Sequence, residues 1–287
     1  MKDAPISLAA ATVAWATPAE AVSLAAAAGY DAVGVRCDER LATPRALEET
    51  ARRLEATGLW ALDLEVVRIR PGDDAEATRA LVAVGERLRA RYVLVVSEDP
   101  DPGRTTARFF ETCELAAEAG LRAALEFMAF TTVRTLAEAL AVVEAAGHPA
   151  GGVVVDPLHL ARSGGNPGEL AGVERRLLAY LQLCDAPGRA PTGEDALATE
   201  ARHHRLLPGT GELPLRAFLA AAPRLAVSVE VPSDELRARH GTALAPLALE
   251  ATRSLLGEVR GQAPTGGRAE RGRAELEGAE QEGVVRA

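Results

Sequence analysis

Short apolar runs alternate with longer amphipathic stretches almost without a break between residues 6 and 256. The runs at 6–11, 32–36, 61–67, 92–97, 123–127, 152–156, 179–184 and 225–231 are expected to be strands. Most are apolar at consecutive rather than alternate positions, as suits parallel strands covered on both faces. Between them lie helical stretches with start and stop signals. Thr17-Pro18 opens a run closed by Gly29, and Thr43-Pro44 opens one closed by Gly58. The stretches 73–89, 105–119, 135–146 and 241–256 predict further long helices, and 170–179 and 213–222 shorter ones.

Eight strand-helix units over about 250 residues is the size of a (β/α)8 TIM barrel, the α/β fold expected here. A doubly wound open sheet is the rival. It usually carries a Gly-rich phosphate turn after its first strand, where this chain has Ala9-Ala10-Ala11-Thr12. From about Gly257 the apolar face is lost in Gly261-Gln262-Ala263-Pro264-Thr265-Gly266-Gly267 and the Arg/Glu/Gly stretch that follows. The expected organisation is one barrel domain, 1–257, and a polar tail, 258–287, disordered or a fraying helix.

Composition narrows the function. With 287 residues and 48% hydrophobic content the chain can bury a large core. A net charge of −9 and only 3% aromatics disfavour nucleic acid, which calls for a basic surface or stacking platforms. Cys37, Cys113 and Cys184 are odd in number and lack CxxC spacing, so neither a disulfide framework nor a zinc ribbon is expected. The start, Met1-Lys2-Asp3-Ala4-Pro5, lacks a signal-peptide pattern, and no apolar run is long enough to span a bilayer. A cytoplasmic protein with a small-molecule substrate, no nucleic acid and no membrane partner is the expectation.

Four late apolar runs carry, at or near their ends, a residue able to bind a hard metal ion: Glu126, Asp156, Gln182 and Glu230. Each alone has a plain structural explanation: an ion pair with an Arg for the glutamates, a turn before Pro157 for Asp156, a polar rim position for Gln182. Together they fall on strands five to eight, and the C-terminal strand ends of a barrel line its active site. Structural ion pairs have no reason to follow that register. An all-oxygen set suits Mn²⁺ or Mg²⁺, with Co²⁺ or Zn²⁺ as the alternatives; zinc more often recruits His or Cys. Other rim candidates for substrate contacts are His203 and Arg205, after the polar stretch 188–202 that reads as a loop over the site, together with Arg36, Glu65 and Trp15. An Arg36–Glu65 ion pair and a packing role for Trp15 are equally open.

The segments Ala124-Leu125-Glu126-Phe127, Val155-Asp156-Pro157-Leu158-His159, Leu181-Gln182-Leu183-Cys184-Asp185 and Val229-Glu230-Val231-Pro232 resemble the sugar phosphate isomerase/epimerase family, the xylose-isomerase-like group of TIM barrels. Pro208-Gly209-Thr210-Gly211-Glu212 resembles the Pro-Gly-x-Gly loop of that family. The resemblance implies one divalent metal on Glu126, Asp156, Gln182 and Glu230. It also implies proton transfer by Glu126 and Glu230, and a substrate or proton-shuttling role for His159. Sugar epimerases of the family usually have His where this chain has Gln182, whereas Gln resembles the 3-dehydroshikimate dehydratases of the same superfamily. The first expectation is therefore a metal-dependent isomerase or epimerase of a small polyhydroxylated carbonyl compound. The alternative is a dehydratase of a 3-dehydroshikimate-like or inosose-like ketone. A related endonuclease family needs more His ligands than five histidines readily supply, and a non-catalytic barrel fits an intact ligand set poorly. Barrels of this family often pair, so a homodimer is expected.

Overall fold

The computed structural model describes residues 4–38, 43–72 and 75–261. Eight parallel strands, β1 (Ile6–Leu8), β2 (Ala32–Arg36), β3 (Trp60–Ile69), β4 (Tyr92–Ser97), β5 (Arg122–Glu126), β6 (Gly151–Val155), β7 (Leu178–Leu183) and β8 (Val227–Val229), close a barrel in sequence order. Around it run α1 (Pro18–Ala28), α2 (Pro44–Thr57), α3 (Glu76–Leu88), α4 (Pro102–Glu118), α5 (Leu136–Ala146), α6 (Pro157–Arg162), α7 (Glu194–His203), α8 (Leu215–Ala221), α9 (Asp234–His240) and α10 (Leu244–Gly261). Among the described residues no helix is long and apolar enough to cross a membrane.

The helix starts follow the capping signals. Thr17 and Thr135 accept from the backbone N–H three residues on, and Glu20 and Glu138 reach back to complete both capping boxes. Gly29 and Gly58, both at positive φ, end α1 and α2.

Strand alternation sorts the core into two parts. Leu125, Val153 and Val229 join the large cluster between strands and helices, whereas Ala32, Leu62, Leu94, Ala124, Val154, Ala179 and Tyr180 form a separate small one. The second cluster fills the barrel interior. Above it the interior turns polar: Ser7, Asp63, Gln182 and Ser228 are all buried. Ser7 pairs in register with Ser228, and Ser228 with Gln182, so these side chains share one level.

Three expectations about elements are corrected. The stretch 170–179 is not a helix. It holds two 3-10 turns, Pro167–Gly172 and Arg175–Leu177, before β7 begins. Gly172 interrupts it and Gly164, Gly165 and Gly168 precede it, and the crossover helix is instead α6, opened by Asp156 and Pro157 at a point where the sequence shows a strand end. The polar stretch 188–202 is mostly α7, whose acidic first turn, Glu194 and Asp195, complements the helix dipole. A short helix, α9, capped by Ser233, follows β8 where none was expected. The last helix continues to Gly261, and residues 262–287 of the polar tail lie outside the described residues. Residues 73 and 74 of the third predicted helix do so too.

Candidate active site

Parallel pairing delivers the candidate residues to one end of the barrel. Glu126 is the last residue of β5, Asp156 immediately follows β6, Gln182 lies one residue from the end of β7, and Glu230 immediately follows β8. Glu230 is fixed through its N–H to the Leu183 carbonyl at 2.9 Å. Asp156 caps α6, accepting from the Leu158 N–H at 2.6 Å. That cap turns the helix so that His159 faces back over the barrel, with its Nε2 3.8 Å from Glu126 Oε1. Ligand atoms of Glu126, Asp156 and His159 all lie within 4.8 Å of one another.

Arg205 is the residue whose place the sequence did not reveal. It sits in the floor of the site, only 3% exposed, rather than on the rim. Its Nη1 pairs with Asp156 Oδ2 and lies 3.2 Å from Glu230 Oε2, and its Nη2 is 3.5 Å from His159 Nε2. Its Nε donates to the Ala201 carbonyl at 2.7 Å, which holds the guanidinium against α7.

Electrostatics divide the carboxyls. Burial alone would raise Asp156, but the charge on Arg205 keeps it below the usual carboxylate range. Glu126 is pushed well up, first by burial and then by Glu230 and Asp156. Burial also pushes Glu230 up to about 8 against the pull of Arg205. His159 is driven down to about 4 by burial, so its imidazole is neutral at pH 7. Deeper in, Asp63 accepts from the Tyr180 hydroxyl at 2.5 Å and is raised to about 7 by burial and by Glu65.

A divalent cation fits this chemistry. Gln182 Oε1 and Glu65 Oε1 are buried without a hydrogen-bond donor, and Glu230 Oε2 faces Arg205 at 3.2 Å without hydrogen-bond geometry. Leaving such acceptors unmet costs about 1–3 kcal/mol each, more for a charge. A hard cation among them would satisfy Gln182 and Glu230 together with Glu126 and Asp156. Three ionised carboxylates, the Arg205 charge and a divalent ion would sum to neutrality.

One consequence is measurable without substrate. In the metal-free fold Glu230 holds a proton to about pH 8 that the unfolded chain releases near 4.5. Stability from this group is therefore present at low pH and lost as pH rises through the folded value. His159 has the opposite slope, but its contribution is complete above 6.5. The Tm of chelator-treated protein is expected to fall between about pH 6.5 and 8, and added Mn²⁺ to raise it more at the upper end. A Tm that rises across this window contradicts the assignment of buried, protonated glutamates.

The cavity above the cluster has a volume of about 870 Å³, ample for a small polar substrate. Arg36, Glu65, Trp15, His203 and Arg205 line it, as do Glu126, His159 and Glu230. Arg36 pairs with Glu65 at 3.2 Å, and His203 Nδ1 lies 3.2 Å from Asp234 Oδ2. Met128, Phe130, Arg68, Arg202 and Arg237 also line it and escaped sequence reasoning. The Arg202 guanidinium lies over Phe130 and that of Arg237 over Trp15. Nothing local in the sequence marks these residues. Asp63 did leave a signal, a carboxylate within the apolar run Leu62-Asp63-Leu64-Glu65.

A closed parallel barrel with buried carboxylates gathered at its C-terminal strand ends defines a class of (β/α)8 proteins with an acidic site at the barrel mouth. The chain belongs to the xylose isomerase-like TIM barrel family, whose sequence pattern it matches over residues 22–255. It is 34% identical over 132 residues to a 3-dehydroshikimate dehydratase of Pseudomonas putida, covering 44% of this chain and 20% of that protein. It resembles a xylose isomerase-like TIM barrel/4-hydroxyphenylpyruvate dioxygenase fusion protein with TM-score 0.80 and 23% identity, over 90% of this chain and 43% of that one. This chain thus spans less than half the length of either. The fold is also that of a zinc-bound IolI protein, with TM-score 0.75 and 19% identity over 89% of this chain and 99% of that one. A D-allulose 3-epimerase from Methylomonas sp. shares it with TM-score 0.66 and 17% identity, over 88% of this chain and 98% of that one.

Proposed function

We propose that this protein is a divalent-metal-dependent lyase that dehydrates a carboxylated polyhydroxy ketone of the 3-dehydroshikimate type. The observation that carries this reading is the guanidinium groups of Arg202 and Arg237, which line the cavity over Phe130 and Trp15, whereas Arg36, Arg68 and Arg205 are paired with Glu65, Glu98 and Asp156. Arg36, Arg68, Arg202, Arg205 and Arg237 line the same space as Glu126 and Glu230. Guanidinium groups suit a substrate carboxylate, which a plain ketose or inosose lacks. Gln182 and the identity to the Pseudomonas putida dehydratase support the same choice.

Glu126, Asp156, Gln182 and Glu230 would hold one Mn²⁺ or Mg²⁺, with Co²⁺ or Zn²⁺ as alternatives. When bound, such an ion supplies Lewis-acid polarisation of the ketone oxygen, which acidifies the neighbouring C–H. His159, neutral and buried, is the group free to take that proton. The Asp156 charge favours its imidazolium, against burial and the nearby Arg205. The C–O bond to the β-hydroxyl then breaks as the new C=C forms. His159 returns the proton to the leaving oxygen, so one water departs and the imidazole is neutral again.

Isomerisation or epimerisation is the second reading, favoured by one observation. Glu126 and Glu230, on strands five and eight, are both held protonation-ready by burial, a pair able to exchange a proton between two faces of a substrate. Product analysis separates the two. Incubated with Mn²⁺ and 3-dehydroshikimate, the protein is expected to yield a product lighter by one water with a conjugated chromophore. Conversion of ketoses at constant mass, with 3-dehydroshikimate untouched, contradicts the lyase.

A further inference from the structure

Asp185 lies two residues beyond the end of β7, outside the cavity, and is 1% exposed. Its carboxylate accepts from four backbone N–H groups: Ala186 at 2.8 Å and Leu213 at 3.0 Å on Oδ1, Gly209 at 3.0 Å and Gly211 at 2.9 Å on Oδ2. Its main chain pairs with Leu206 in both directions, Asp185 N–H to Leu206 carbonyl at 3.0 Å and Leu206 N–H to Asp185 carbonyl at 2.8 Å. The segment 206–213 is thereby wrapped around one side chain. Gly211 passes so close that a Cβ there would lie 2.4 Å from the Ala186 carbonyl and 2.5 Å from Asp185 Oδ1.

Leu206 is the direct neighbour of Arg205, whose own N–H donates to the Pro232 carbonyl at 3.2 Å. The strip that carries Arg205 is therefore held on one side by the end of β8 and on the other by Asp185. A long, flexible cation stays among Asp156, Glu230 and His159 only if its backbone is fixed, because ordering such a side chain is entropically expensive.

We propose that Asp185 is a positioning residue that keeps the Arg205 guanidinium in the active site by gathering the 206–213 loop on its carboxylate. The inference deepens the proposed function, since Arg205 there lines the substrate cavity. Asp185→Asn is the sharpest variant. It keeps the size, but an amide nitrogen cannot accept, so two of the four N–H groups lose their partner.

The test reads Arg205 without any substrate. Full-length protein is treated with an arginine-specific dicarbonyl reagent, and modification of the Arg205 peptide is timed by mass spectrometry. Arg205 of the parent is shielded, and D185N is expected to react about tenfold faster there. Gly209→Ala tests the same link more gently: a Cβ has open space there, but φ of +84° strains it. It is expected to speed labelling too, which keeps the test decisive if D185N fails to fold. Glu212→Gln alters a loop residue outside the Asp185 contacts and is expected to leave Arg205 shielded.

Where turnover is measurable, D185N is expected to lower kcat/KM in the parent and to add little in an Arg205→Ala background. Loop amides that lose protection while Arg205 stays shielded overturn the proposal, and full additivity of the two substitutions does so too. Failure to dehydrate 3-dehydroshikimate with labelling as expected overturns only the substrate reading.

Discussion

Replacing Glu230 by Gln is expected to abolish turnover and to leave the barrel folded. Glu230 has a buried oxygen that faces Arg205 without hydrogen-bond geometry, and it shares Arg205 with Asp156. An amide of the same shape fills the space but withdraws one negative charge from a site whose balance with a divalent ion depends on three. Lewis-acid stabilisation is worth several kcal/mol, so a fall in kcat/KM of roughly a thousandfold or more is expected. Stability of the metal-free protein should not fall, because burial already keeps Glu230 largely protonated at neutral pH. Retained activity in E230Q removes Glu230 from the machinery. A collapsed Tm without metal gives it a structural role instead.

Arg205→Ala is expected to have the largest effect on stability, and the effect depends on metal. In the metal-free protein Arg205 is the cation paired with buried Asp156, and both side chains are almost fully enclosed. Removing one partner of such a pair costs about 3–5 kcal/mol, since the remaining charge is stranded. Mn²⁺ beside Asp156 supplies the missing positive charge, so the loss measured by urea unfolding should shrink with the ion present. Arg205→Lys keeps a charge but not the fork that reaches Asp156, Glu230 and His159 together, and it should fall between parent and R205A. An R205A loss that is identical with and without Mn²⁺ contradicts a shared site for the ion and the guanidinium.

Much of this was legible in the chain because barrel architecture repeats a simple rule. Consecutive apolar residues bounded by helix caps mark parallel strands, and β2 and β4 fall on the expected residues. Glu126, Asp156, Gln182 and Glu230 stood out because a polar residue at the end of an apolar run is a departure from a regular pattern. The segments after β6 and β7 misled for physical reasons. Asp156-Pro157 is both a strand end and a helix start, and α7 is polar over most of its surface, so periodicity gives it little signal. Arg205 could be named but not placed. The bonds around it, from Arg205 to Pro232 and Ala201 and from Leu206 to Asp185, form once β7, β8 and α7 are assembled.

The claim that the buried oxygens at the ends of β5 to β8 hold one divalent ion is open to calorimetric titration of chelator-treated protein with Mn²⁺. The expected result is saturable binding of about one ion per chain, with proton release that grows at lower pH, and no binding in the Glu126→Ala/Glu230→Ala double variant. An absence of binding by the folded parent at pH 8, or equal binding by the double variant, contradicts the claim.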